Sequence, residues 1–198
     1  MRPIKNMKRL FLAISLILTV VSSLLAQSTI WKINSLQKIG RQNTEILGDP
    51  RAIKKAIEFD GIDDGIFLDT NPIEGFSTFT IEAIFRPDLG GNKEQRWFHI
   101  EQNELESRVL LETRLVGDEW FLDTFMKSGE NRLPLLAENF KHKLGKWYHV
   151  ALVYDGKVMK HYVDGNLELS GEINFKVMTK GKTSLGVRQN KVYWFKGA

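Results

Sequence analysis

The chain has no cysteine. That removes disulfide bridges, cysteine-bearing zinc sites, thiol catalysis and the lipid-anchoring cysteine of a lipoprotein. It also lacks net charge once its first segment is set aside. Lys and Arg number 28 and Asp and Glu 24, but Arg2, Lys5, Lys8 and Arg9 precede Gln27 and no acidic residue does. From Gln27 onward the balance is 24 against 24. The basic isoelectric point, about 9.2, therefore belongs to the leading segment. A nucleic-acid partner loses its main support with it. No internal repeat, linker or low-complexity tract is present, and nothing after residue 26 has the pattern of a long helix. One domain is expected.

Residues 1–26 read as a signal-peptide helix rather than as part of the fold. Arg2, Lys5, Lys8 and Arg9 make a positive start, 10–21 is an apolar run, and 22–26 ends in the small residue Ala26. Cleavage is expected between Ala26 and Gln27, with Met7 an alternative start. An uncleaved anchor is the other option, but Ser15 and Thr19 interrupt a run already short of the about 20 residues a span needs. The expected route is secretion or export to a bacterial periplasm, with no membrane span after cleavage. The 172 residues that remain are enough to bury one sizeable core without disulfides.

Short apolar runs separated by turn residues fill those 172 positions. The clearest is 147–171, where Asp155-Gly156 and Asp164-Gly165 separate three strands; Asp and Gly accept the positive φ of tight turns. Along 147–153 both parities are mostly apolar, which predicts a central strand covered on both faces. Trp147→Ala is accordingly expected to be the costliest aromatic truncation, and Trp31, Trp147 and Trp194 are expected in the core. Further strands are expected at 29–33, 45–47, 57–59 with 66–68, 78–85, 96–102, 108–116 with 120–127, 133–138, 173–177, 183–187 and 192–195, and one helical turn at 51–55. Such spacing predicts an all-β, two-sheet antiparallel sandwich.

Four segments, in order, carry a family resemblance. They are Ala56 to Asp64 (AIEFDGIDD), Phe79 to Ala83 with Arg86-Pro87, Trp147 to Gly156 continuing to Asn166, and Leu185-Gly186 with Phe195-Lys196-Gly197. Together they resemble the laminin-G-like domains of the concanavalin A-like lectin/glucanase superfamily. The resemblance spans about residues 30–198 and implies a jelly roll over 27–198 that binds carbohydrate or a cell-surface or matrix protein. In that family F-x-G is followed by another core strand, whereas here the sequence stops at Ala198. A fragment, or a sandwich one strand short and prone to aggregate, is therefore expected. A structural calcium is also common in related domains, and Asp60, Asp63 and Asp64 offer hard oxygen ligands in one turn. Simple turn residues are the alternative reading.

Enzymes of the superfamily space their acid and nucleophile as E-x-D-x-E on one strand face, about 5 Å apart. No such triplet occurs; Glu101, Glu104 and Glu106 straddle a turn, and Asp123 has no carboxylate at 121 or 125. A nucleophile elbow, an HExxH helix and a phosphate-binding glycine loop are absent too. The expectation is a non-catalytic module, with a degenerate or accessory glycanase domain and a structural adhesion module as alternatives. Alternation places Trp97, His99 and Glu101 on one strand face, and Arg108, Glu112 and Arg114 on the polar face of another. Asp123 and Lys127 fall with Phe121 and Phe125 on the next. If those strands are neighbours, the faces merge into a ligand-binding surface; a solvated outer face is the alternative. His149 and His161 are expected as hydrogen-bonded sheet residues.

Overall fold

The computed structural model describes residues 27–198; the signal-peptide reading of 1–26 lies outside the described residues. Seventeen strands occur among them: β1 (Lys38–Ile39), β2 (Gln42–Asn43), β3 (Glu45–Leu47), β4 (Arg51–Ile53), β5 (Ala56–Asp60) and β6 (Gly65–Leu68) come first. The long strands follow, β7 (Phe79–Phe85), β8 (Glu94–Gln102), β9 (Ser107–Val116), β10 (Glu119–Ser128) and β11 (Asn131–Leu136). After the two-residue β12 (His142–Lys143) come β13 (Tyr148–Tyr154), β14 (Val158–Val163), β15 (Asn166–Glu172), β16 (Lys182–Leu185) and β17 (Lys196–Gly197). A single 3-10 turn, Asn103–Leu105, joins β8 to β9.

Every pairing is antiparallel. One sheet runs β11-β10-β9-β8-β16-β6-β3, with β12 added to β10. The other begins β15-β14-β13-β7. It continues because Arg86, just past β7, exchanges hydrogen bonds with Ala198: its N–H donates at 2.7 Å and its carbonyl accepts at 2.9 Å. β17 in turn pairs with β5, and β5 with β4. Two sheets of this kind, packed face to face, make a jelly-roll sandwich.

The core forms where period-2 patterns from both sheets meet. Val109 and Leu111 on β9, and Trp120, Leu122 and Met126 on β10, face Tyr148, Val150, Leu152 and Tyr154 on β13; all are buried. Phe85 lies at the centre, stacked on Trp97 with ring centroids 4.6 Å apart and edge-on to Trp120 at 5.0 Å. One buried polar contact crosses the sandwich, Thr124 Oγ1 to His161 Nδ1 at 2.9 Å.

Several sequence expectations need correction. Residues 51–55 form strand β4 (51–53) and the tight turn into β5 (54–55) rather than a helical turn, because 51–53 pair with β5. Segments 29–33 and 173–177 form no strand and have no ladder partners. The second is tied down through Tyr154, whose hydroxyl donates to the Ile173 carbonyl at 3.0 Å and accepts from Phe175 N–H at 3.2 Å. Residues 192–195 form no strand, although the Tyr193 carbonyl accepts from Arg96 N–H and Phe195 N–H donates to the Gly186 carbonyl, both at 2.8 Å; ladder pairing resumes at Lys196. The second sheet is covered on one face only. Trp147 lies outside β13, on the open side, 46% exposed with the Arg86 guanidinium 5.3 Å from its ring. The core tryptophans are Trp97 and Trp120, while Trp31 and Trp194 are half-buried.

Candidate ligand-binding face

The face of the larger sheet turned away from the core carries the concentrated polar chemistry. Residues alternate along β9 and β10, so Arg108, Leu110, Glu112 and Arg114 sit opposite Lys127, Phe125, Asp123 and Phe121 across the ladder. On β8 the alternation breaks. A bulge between Arg96 and Phe98 inserts one extra residue, so Arg96 pairs with Glu112 while His99 pairs with Leu110. Arg96 and His99 thus share the outer face despite opposite parity, and Trp97 turns into the core. The expected grouping of Trp97 with His99 and Glu101 is overturned for Trp97, which is 7% exposed against Phe85.

Glu112, Arg114 and Asp123 do come together, joined by Glu94 and Arg96. Arg114 donates from Nε to Asp123 Oδ2 at 2.7 Å, and its Nη1 lies 2.6 Å from Glu94 Oε1. Arg96 donates to Glu94 Oε2 at 3.0 Å and lies with Nε 2.7 Å from Glu112 Oε2. Glu112 Oε2 is buried and holds these arginines through ion contacts rather than aligned hydrogen bonds. Burial first, and the Asp123 charge second, push Glu112 up to about 7, against the pull of Arg96 and Arg114. Asp123 is likewise raised by burial, with Arg114 opposing. His99, wholly buried and near Arg188, Arg108 and Arg96, is held down at about 3.

The loop after β16 completes the face. Tyr193 lies under the Arg96 guanidinium at 3.7 Å, and Gln189 N–H donates to His99 Nδ1 at 3.0 Å. Phe125 supports Arg108 from the other side at 5.6 Å. Glu101 lies 3.6 Å from Arg108 and lines an adjoining cleft of about 400 Å³ with Gln102, Lys182 and Gln189. Sequence reasoning missed Arg96 and Glu94, because a bulge leaves no mark on composition. It missed Arg188, Gln189 and Tyr193 because their neighbours are distant in sequence.

Asp60, Asp63 and Asp64 present oxygens all within 4.8 Å of one another. Asp64, 4% exposed, accepts backbone N–H bonds from Asp49 at 2.7 Å and Asp60 at 2.9 Å; Asp60 Oδ1 accepts from Ile62 N–H at 2.7 Å. Burial raises the Asp64 carboxyl, and the charges of Asp60 and Asp63 add to that, while the two backbone bonds oppose it. Three hard-oxygen carboxylates at this spacing fit calcium.

Residues 60–198 match the laminin-G-type family model described as the Concanavalin A-like lectin/glucanases superfamily. The chain belongs to that superfamily. No curated protein matches its sequence. Among solved structures, this concanavalin A-like domain is similar to domain 4 of an extracellular GH43 arabinanase from Geobacillus stearothermophilus, solved with arabinotriose. Identity there is 16%, with 83% of each chain covered and a TM-score of 0.56. A heptameric SAP-like pentraxin from Limulus polyphemus matches at 17% identity, covering 71% of this chain and 70% of that one, TM-score 0.54. Mouse laminin α1 domains LG4-5 match at 16%, covering 76% and 41%, TM-score 0.53. At these identities the likeness is one of fold.

Proposed function

We propose that this concanavalin A-like domain is a secreted, non-catalytic module that binds carbohydrate, or the glycan of a cell-surface or matrix partner, on the outer face of its larger sheet. The observation that carries the reading is the concentration of desolvated charge there. Arg96, Glu112, Arg114 and Asp123 form one network flanked by Phe121, Phe125 and Tyr193. Aromatic rings beside a few fixed polar groups are what a sugar site needs, the ring facing apolar C–H surfaces and the polar groups reading hydroxyls. The arabinanase domain solved with arabinotriose lends support by analogy of fold. His99, Glu101, Glu112, Arg114 and Asp123 are the proposed contacts or positioning groups; Trp97 supports the sheet from behind.

A polysaccharide-cleaving role has one observation in its favour, the raised Glu112 directly opposite Asp123. Arg114 contacts both carboxylates, which favours a structural role for the pair over an open acid and nucleophile. Calcium at Asp60, Asp63 and Asp64 is a separate proposal. Titration calorimetry is expected to show binding that Asp63→Asn removes, and absence of heat with wild type excludes it.

The test is a glycan array followed by calorimetry on the purified protein. Phe125→Ala, at the open margin of the face, is expected to weaken the selected glycan at least about tenfold while circular dichroism stays unchanged. Retention of full affinity in that variant places the site elsewhere, and release of reducing ends from the glycan overturns the non-catalytic reading.

A further inference from the structure

The register shift between β14 and β15 turns a carboxylate into the sandwich. Tyr162 pairs with Leu167 and His161 with Leu169, so Glu168 is one extra residue between them. A bulge re-aims the side chain it carries. The Glu168 side chain is accordingly 5% exposed, although β15 is an edge strand and Leu167 before it lies open to solvent. Glu168 there meets two imidazoles from different strands. His142 Nε2, on β12, lies 2.7 Å from its Oε1, and His161 Nε2, on β14, lies 3.7 Å from its Oε2.

The second contact is the informative one. At 3.7 Å it is too long for a hydrogen bond, and His161 Nε2 and Glu168 Oε2 are both buried without a partner. Thr124 Oγ1 holds His161 Nδ1 at 2.9 Å, the kind of outer contact that fixes the tautomer of a ligating histidine. With Nδ1–H donating to that hydroxyl, the Nε2 lone pair faces a carboxylate oxygen across the gap. Two acceptors set face to face call for a cation. A shared proton would draw them to about 2.7–2.9 Å. A metal ion with bonds of about 2.0–2.1 Å holds neighbouring ligand atoms about 3.3–3.7 Å apart, at angles of about 110–130°. The separation present is of the second kind.

We propose that His142, His161 and Glu168 form a zinc site between the two sheets, with water completing the shell. Two imidazoles and a carboxylate suit zinc, whereas calcium takes six to eight oxygens. The absence of cysteine leaves this donor set untouched. The site is not preassembled in the way of the Asp60, Asp63 and Asp64 turn, whose oxygens all lie within 4.8 Å of one another. His161 Nε2 and Glu168 Oε2 already span the ion, and His142 joins by exchanging its Oε1 contact for the metal. It is the ligand with room to move, 22% exposed on a two-residue strand, and the ion enters past it. Once bound, zinc fastens β12 of the larger sheet to β14 and β15 of the other. The site is separate from the polar outer face and independent of the glycan-binding reading.

The test uses the whole protein, stripped with a chelator and titrated with zinc chloride at about pH 7.5, where free imidazole is neutral. Calorimetry is expected to show one equivalent bound with a Kd of about 1 μM or tighter, not displaced by calcium. Imidazole nitrogen resonances of His142 and His161 are expected to shift, and those of His99 and His149 to stay. His149, exposed and 3.4 Å from the exposed Glu82, is a control for surface binding by the same residue types. Amide exchange at His142 and Lys143 is expected to slow as β12 is fastened. Glu168→Gln and His142→Ala are each expected to weaken zinc by at least about tenfold, more than loss of an outer-shell partner need cost. Asp63→Asn and His149→Ala are expected to leave it unchanged. Absence of stoichiometric zinc, shifts confined to His149, or full affinity in Glu168→Gln and His142→Ala overturns the site. If either variant folds poorly, the imidazole shifts of the wild type decide alone.

Discussion

Trp120 and Trp147 show how position decides what one kind of side chain contributes. Trp120 is wholly buried, its ring 5.0 Å from Phe85 and 5.1 Å from Tyr148, so Trp120→Ala is expected to cost about 3–5 kcal/mol in urea unfolding. Trp147 is 46% exposed, with the Arg86 guanidinium 5.3 Å from its ring. Its truncation is expected to cost about 1 kcal/mol or less, the range of an exposed cation–π pair. A larger loss at Trp147 than at Trp120 would contradict the burial pattern. His161 offers a test by acid. Thr124 Oγ1 bonds its Nδ1 and Glu168 Oε2 lies 3.7 Å from its Nε2, with Glu168 also bonded to His142, yet burial lowers it to about 4. Unfolded histidine takes up a proton near pH 6.5, whereas the folded ring refuses it until about 4. Stability present above pH 6.5 is therefore lost as pH falls toward 4. Melting temperatures between pH 7.5 and 4.5 are expected to fall less steeply in His161→Gln, and an identical slope would exonerate this residue.

At the scale of single elements, alternation was a sound guide wherever the ladder is regular. It assigned both faces of β9 and β10, and hence Glu112, Arg114 and Asp123, because period 2 holds along each strand. It failed on β8, where one extra residue reverses parity and exchanges Trp97 for Arg96. It overstated the cover on β13, because apolar content on both parities does not say whether a second layer exists. The step from β16 into the loop that carries Gln189 depends on Gly186. That residue has φ +78°, and a Cβ there would run into the Phe59 ring. Gly186→Ala is expected to cost about 1–3 kcal/mol in backbone strain, with overpacking adding to it. It should also loosen the ligand face, read as faster amide exchange at Gln189. Unchanged stability would mean that Phe59 yields without cost.

For the whole molecule, the decisive connection is made by the last three residues. Lys196 to Ala198 join β5 to the end of β7, with Asp88 N–H adding a bond to the Lys196 carbonyl at 3.0 Å. Removing 196–198 deletes the three backbone bonds between this segment and 86–88, as well as the β17–β5 ladder. At about 1 kcal/mol per bond, the three bonds alone set a loss of at least about 3 kcal/mol, to which the ladder adds. Urea titration with hydrogen exchange on β5 measures it, and an unaltered midpoint would show that the two halves of the second sheet stand independently.

Local chemistry was enough for the class of structure. Turn dipeptides, short apolar runs and the four ordered segments pointed to an antiparallel sandwich of this superfamily, because a strand's face and a turn's φ depend on residues close in sequence. The position of Tyr193 under Arg96, the donor Gln189 presents to His99 and the closure of the second sheet by Ala198 were decided only in three dimensions. Each joins residues roughly 90 to 110 positions apart. No local pattern records such a pairing; it exists only when two sheets have packed and a bulge has chosen which side chains turn outward.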